Sequence, residues 1–190
     1  TLVKEMFSNF KYLSTFIFLI FCSNTYASNK DKILEKLQNT ENLKFNFEQN
    51  INGKIENGEC VIHYPKKIYC KYNLPNNKVL VSNGKSLVIK TLSSYYLYPL
   101  NKTPLNFILD KNFLIKKIDK IEERIIDDKF INFNFTENES EINLFFFFLN
   151  YHLIDWQTRD LYQNLSITYL SSINFNKKLN KNLFKIPERN

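Results

Sequence analysis

Between Gly58 and Ile89 the sequence leaves little choice of fold. Gly58 to Tyr72 reads as two runs of β-branched and aromatic residues on either side of Tyr64-Pro65-Lys66, and Leu80 to Ile89 repeats the arrangement around Asn83-Gly84. Proline sets the first turn, and Asn-Gly, which accepts positive φ, suits the type I′ turn between antiparallel strands. Two consecutive hairpins follow. Elsewhere Phe45, Phe47 and Ile51 alternate with polar residues, as do Ile131, Phe133 and Phe135, and then Leu165, Ile167 and Tyr169. Turns rich in Asn, Asp or Glu separate these runs, so the chain reads as many short antiparallel strands, which must form a sandwich or a barrel.

Two helical segments interrupt the strands. Ser28 to Gln38 places Ile33, Leu34 and Leu37 on one face, with Ser28 or Asn29 able to cap its start near Asp31. Thr103-Pro104 supplies a capping hydroxyl and a first-turn proline ahead of Leu105, Ile108 and Leu109, which share one side. Both are expected to pack on a sheet.

The N-terminal end has the form of an export signal. Lys4 and Lys11 precede an apolar run from Tyr12 to Cys22, and Asn24-Thr25-Tyr26-Ala27 offers a small residue, the only alanine of the chain, at the cleavage position. The run is too short to cross a bilayer. The expectation is a signal peptide over residues 1–27 and one domain over residues 28–190. Phe21 before Cys22 is unlike the small residues that precede a lipid-modified cysteine, which favours a protein without a lipid anchor.

The whole chain carries a net charge of +7, with lysines dispersed among asparagines and acids. Export and the lack of any nucleic-acid-binding motif argue against a DNA or RNA partner. His63 and His152 are the only histidines and stand in no metal-binding spacing. There is no nucleophile elbow and no phosphate-binding glycine loop, so neither catalysis nor a cofactor nor a metal is expected. Glu122-Glu123 and Asp127-Asp128 read as solvated charge around a turn. Leu144-Phe145-Phe146-Phe147-Phe148-Leu149, apolar on both faces, reads either as a strand buried on both sides or as one whose second face lines a ligand space.

The order of these pieces resembles the outer-membrane lipoprotein carrier family, LolA. That family carries a Gly-x-Leu strand, an Arg-Pro turn, an aromatic return strand and a Leu-Val-Ser-Asp-Gly-Lys hairpin; here the matching words are Gly58-Glu59-Cys60, Tyr64-Pro65, Ile68-Tyr69-Cys70 and Leu80-Val81-Ser82-Asn83-Gly84-Lys85. Leu43 to Gln49 resembles its first strand, Tyr98 to Leu105 its central lid helix, Trp156 to Thr168 its late hairpin, and Leu183 to Pro187 its closing Phe and Pro. The resemblance implies a mainly β fold with an α lid, an open and strongly curved antiparallel sheet, an unclosed barrel, covered by short helices. It also implies a monomeric periplasmic carrier that shields the acyl chains of triacylated lipoproteins. Such a carrier takes its cargo from an inner-membrane lipoprotein-releasing ABC transporter and passes it to an outer-membrane receptor or the outer membrane. A related periplasmic lipid-binding or sensor module on the same architecture is the alternative.

On that reading the acyl chains lie between the inner sheet face and the helices, against Phe45, Phe47, Ile62, Ile68, Tyr72, Leu87, Ile89, Leu105, Ile108 and Leu109. Each of these could equally be ordinary core. The family arginine thought to latch the lid corresponds to Tyr64, which lacks the charge and the five-donor fork, so the latch is either carried by packing at Tyr64 or rebuilt with Lys66 or Lys67. Removal of Cys22 with the signal leaves Cys60 and Cys70, placed symmetrically about Pro65. In register they face each other closely enough for a disulfide; a one-residue slip would leave two separate buried thiols.

Overall fold

The computed structural model describes residues 27–160, 163–180 and 182–189. Nearly all of the expected signal segment lies outside them. One antiparallel sheet of eleven strands organises the rest. The first six are β1 (Asn42–Ile51), β2 (Lys54–His63), β3 (Lys67–Tyr72), β4 (Val79–Asn83), β5 (Ser86–Lys90) and β6 (Tyr95–Pro99). The other five are β7 (Arg124–Ile126), β8 (Phe130–Glu137), β9 (Ser140–Phe147), β10 (Leu153–Arg159) and β11 (Leu165–Phe175).

The strand order is β6-β5-β4-β3-β2-β1-β11-β10-β9-β8-β7. Every neighbour is consecutive in sequence except β1 and β11, which join two meanders along one seam. The two edges, β6 and β7, do not pair, so the barrel stays open. At about 4.8 Å between strands a flat sheet of this size would be roughly 50 Å wide. Yet residues from β5 at one side and β8 at the other belong to a single core with the helices, which requires strong curvature.

Helix α1 (Asn29–Gln38) begins with a capping box in which the Ser28 hydroxyl accepts from the Asp31 N–H and the Asp31 carboxylate accepts from the Ser28 N–H. Ile33 and Leu37 are its buried face. After β6 come a 3-10 turn (Leu100–Lys102), α2 (Leu105–Ile108) and α3 (Lys111–Lys120), which carry the chain from one edge of the sheet to the other. The helix α3 is not among the expected elements, although Asp110, whose carboxylate accepts from the Phe113 N–H, and the spacing of Leu114 and Ile118 mark it. Thr103 does not cap α2 as expected; its hydroxyl donates to the Leu100 carbonyl of the preceding turn.

Both early hairpins are present, with one change of turn. Strand β4 runs through Asn83, so the two central residues are Gly84 and Lys85, and of these only Gly84 has a positive φ, 100°. That is the pattern of a II′ turn rather than the expected I′. The Asn83 side chain supports it by accepting from the Lys85 and Ser86 N–H groups. The late apolar alternation is also shifted in meaning. Leu165, Ile167 and Tyr169 face outward, while Thr168 and Leu170, opposite Gln49 and Phe47, point into the core. In β9, Ile142, Leu144 and Phe146 are buried on the inner face and Phe145 and Phe147 are half-buried outside; Phe148 and Leu149 lie beyond the strand, Leu149 exposed.

The C-terminal tail straps the outer face. The Asn42 carboxamide accepts from the Lys177 N–H, Phe184 stacks on His63, and the Lys90 ammonium donates to the Glu188 carbonyl, so the tail passes β1, β2 and β5 in turn. Val61, Val81 and Val88, which alternate with the inward residues of their strands, are buried on this outer side.

Candidate functional site

The concave face is a graded surface. Register places Leu43, Ile62, Ile68, Ser82 and Leu87 in one row, and Phe45, Cys60, Cys70, Leu80 and Ile89 in the next. A third row holds Phe47, Gly58 and Tyr72, with the Phe47 and Tyr72 rings edge-on at 5.0 Å. The far half of the sheet adds Phe133, Leu144, Phe146 and Trp156, the last edge-on to Phe45 at 5.9 Å. Sulfurs of Cys60 and Cys70 are bonded, their Cα atoms 4.1 Å apart as directly opposed partners.

The fourth row is polar. The Tyr72 hydroxyl donates to Gln49, whose amide donates to Thr168 and Ser166. Glu56 is buried beside Gln49 and pairs with Lys78 and Lys54, and Lys78 also lies 4.1 Å above the Tyr72 ring. Burial pushes the Glu56 carboxyl up, but hydrogen bonds and charge from the two lysines outweigh it and hold the group below the usual range. Burial, with Glu56 nearby, pushes the Tyr72 phenol up. The interior is thus apolar under the helices and closed by a charged, fully paired floor at the other end.

All ten expected lining residues meet in this one interior. Phe45, Phe47, Ile62, Ile68, Tyr72, Leu87, Ile108 and Leu109 are buried members of the core, and Ile89 and Leu105 pack against it half-buried. They form one packed cluster. A cavity of about 20 Å³ lies beside α1, between Leu37, Leu43, Tyr64 and Phe146. A larger one of about 440 Å³ lies outside, between His63, Lys67 and the tail at Lys177 and Phe184.

The lid formed by α2 and α3 is fastened at its junction. Lys66, at φ 66° in the hairpin turn, donates its N–H to the Leu109 carbonyl at 2.7 Å, and its ammonium stands 3.3 Å from Asp110. The Ser82 hydroxyl donates to the Lys66 carbonyl and fixes that turn. Lys111 reaches from α3 to the Gln38 and Thr40 carbonyls at the end of α1. Tyr64 is buried and its hydroxyl has no hydrogen-bond partner among the described residues; burial pushes its pKa up. What Tyr64 contributes is its ring. The polar contact of the turn with the lid comes from Lys66, while Lys67 faces the outer cavity. Lys66 and Asp110 are adjacent in no sequence pattern; only the fold brings the turn to the helix junction.

Residues 38–187 match the sequence profile of the family described as outer membrane lipoprotein carrier protein LolA. The chain belongs to the LolA family. Among solved structures it is similar to a LolA superfamily protein from Nitrosomonas europaea, at 10% identity over 84% of this chain and 99% of the other, with a TM-score of 0.49. A conserved protein from Thermus thermophilus matches at 6% identity over 85% and 96%, TM-score 0.50. The MucA/MucB complex of Pseudomonas aeruginosa contributes a chain at 11% identity over 84% and 61%, TM-score 0.46. At these identities the likeness is one of fold. No curated protein matches the sequence. Among the described residues no helix is long and apolar enough to cross a membrane, and no group of His, Cys, Asp or Glu is placed to hold a metal ion.

Proposed function

We propose that this LolA-family protein is a periplasmic carrier that shields the acyl chains of triacylated lipoproteins between the lid and the concave sheet face. The cargo comes from an inner-membrane releasing complex and goes to the outer membrane or a receptor there. The observation that carries the reading is the contrast between an interior that is largely apolar beneath the helices and a lid junction held to the β2–β3 turn by one backbone hydrogen bond and one ion pair. A partly exposed ion pair is worth only about 0.5–1 kcal/mol, so the junction is weak beside the apolar surface it covers.

A lid closed mainly by apolar packing suits the work. At ~0.8 kcal/mol per methylene, three acyl chains of about sixteen carbons would nominally exceed the roughly 20 kcal/mol limit of non-covalent affinity, and full burial would trap them. Partial shielding under a movable lid keeps the held state comparable with the two membranes. Leu105, Ile108 and Leu109 would swing away, leaving Phe45, Phe47, Ile62, Ile68, Tyr72, Leu87 and Ile89 to meet the chains. The polar floor at Glu56 and Lys78 sets the depth to which an acyl chain can enter.

The test is mass spectrometry of lipid and protein extracted with the native protein from the periplasm, together with transfer of a labelled acylated lipoprotein. Triacylated polypeptide is expected. Free lipid alone would make the protein a lipid-binding module of the same architecture, and recovery of neither would end the carrier reading.

A further inference from the structure

From Cys60 to Leu109 the chain has seven lysines and not one acid. Over the same stretch the sheet ends in β6, an edge strand bare on both faces. Tyr96 and Tyr98, opposite Ile89 and Leu87, are 52% and 43% exposed on the inner side; Leu97, opposite Val88, is 58% exposed on the outer side; Leu92, in the preceding turn, is 62% exposed. These are four of the nine exposed large hydrophobic residues among the described residues, and the other five lie on other strands and turns. Three lysines border the patch. Lys90 is the cross-strand partner of Tyr95, the Lys85 carbonyl accepts from the Leu100 N–H just after β6, and Lys102 closes the 3-10 turn. Lys90 donates to the Glu188 carbonyl.

We propose that this edge docks the protein on an anionic lipid surface, with Leu92, Tyr96, Leu97 and Tyr98 entering the headgroup layer and Lys85, Lys90 and Lys102 facing acidic headgroups. Tyrosines alone would suit a protein or a lipid, since their rings are apolar at one end and wet at the other. The lysines decide between them. Lysine is depleted in protein interfaces, whereas at a lipid surface its long stem lies along the apolar layer while the ammonium reaches the phosphates, each such lysine being worth about fivefold in affinity. No acid lies between Cys60 and Leu109 in the sequence to offset that gain, although the tail brings Glu188 to Lys90. The inference goes beyond the carrier reading, because a bare basic edge binds an anionic bilayer whatever the interior holds. Strand β6 also leads without interruption into the 3-10 turn and α2, so the contact lies next to the lid.

The experiment is co-sedimentation of protein recovered from the periplasm with vesicles of pure phosphatidylcholine or with about 30% phosphatidylglycerol, at about 50 mM and about 500 mM salt. Binding is expected to the anionic vesicles only and to fall at least tenfold at high salt. Leu97→Asp and Tyr96→Ser, on opposite faces of β6, should each weaken it about tenfold, and Lys85→Gln with Lys102→Gln together about twenty-five-fold. Ile125→Asp, at the far edge, should not change it. All are exposed sites, so melting temperatures within about 2 °C of the parent check the fold. No binding to anionic vesicles, equal binding to neutral ones, or equal loss with Ile125→Asp overturns the proposal. If only the β6 variants of an otherwise non-binding protein lose cargo transfer, the edge belongs to a protein partner instead.

Discussion

Replacing Gly58 by alanine should be one of the most damaging single-methyl additions in this protein. Gly58 sits in the third row of the concave face between Phe47 on β1 and Tyr72 on β3. A Cβ there would lie 2.1 Å from the Lys71 carbonyl oxygen and 2.9 Å from the Tyr72 Cα. Both are backbone atoms, so no side chain can simply rotate away; β2 and β3 must separate by roughly 1 Å to restore van der Waals distance. Two residues away the Cys60–Cys70 bond ties the same strands, and β1 holds β2 from the other side. Overpacking of this kind costs about 1–3 kcal/mol and occasionally more, against about 0.5–1 kcal/mol returned by the stiffer unfolded chain. A net loss of about 1–2 kcal/mol is expected, roughly 3–7 °C in Tm for a domain of this size. Urea unfolding followed by the fluorescence of Trp156, the only tryptophan and a core residue, measures it. A second arm places the change in a Cys60→Ser, Cys70→Ser background, where the strands can part and the cost should fall by about 1 kcal/mol. If Gly58→Ala costs under about 0.5 kcal/mol with the disulfide intact, the steric account is wrong.

Four further outcomes are expected. Burial holds the Asp155 carboxyl up at about 6, with one oxygen lacking a hydrogen-bond partner among the described residues and the other accepting from Gln157. The folded protein therefore keeps a proton that the unfolded chain has lost, stability falls as pH rises from about 4 to 6, and Asp155→Asn should flatten that slope and gain about 1–2 kcal/mol at pH 7.5 after allowance for solvent screening; an unchanged urea midpoint would refute it. Burial, then the neighbouring Lys36, lowers the His152 pKa, so stability should be lost as pH falls below about 6.5, and Lys36→Gln should raise that pKa in an NMR titration. Asp110→Ala removes both the α3 cap and the ion pair to Lys66, and should weaken hydrogen-exchange protection of α3 by about 1–2 kcal/mol while leaving β1 and β2 unaffected. Tyr64→Phe should leave cargo transfer nearly intact and Tyr64→Ala should loosen the lid; a Phe variant as inactive as the Ala variant would show that the hydroxyl is required.

What could be read in the sequence was whatever local chemistry decides. The hairpin about Pro65, the capping box at Ser28 and the opposed cysteines follow from turn residues and period-two spacing, and they are present. So are the inward Phe45 and Phe47. What depends on register was less legible. In β11 Leu165, Ile167 and Tyr169 face outward and Thr168 inward, because Thr168 joins Gln49, and through it Tyr72, in a polar floor that alternation alone does not reveal. The same holds for Glu56, a buried carboxylate of β2 that is tolerated because Lys78 arrives from another segment. Lys66 was one of two candidates for the polar lid contact, but neither its choice over Lys67 nor its partners Leu109 and Asp110 could be derived, since only the fold brings the turn to the helix junction. Helix α3 was legible and overlooked, with its Asp110 cap in plain view.

The seam between β1 and β11 has a consequence for how the chain assembles. Each meander is made of neighbours close in sequence, so each can form early at little loop-closure cost. The seam pairs the beginning of the domain with nearly its end. Until β11 arrives, β1, one of the longest strands and apolar on one side, is an open edge in the middle of the future sheet. A truncation before Leu165, or any slowing of the last hairpin, would leave that edge free to recruit the same strand of another copy, so aggregation rather than loss of a lid or a floor is the failure to which this topology is exposed.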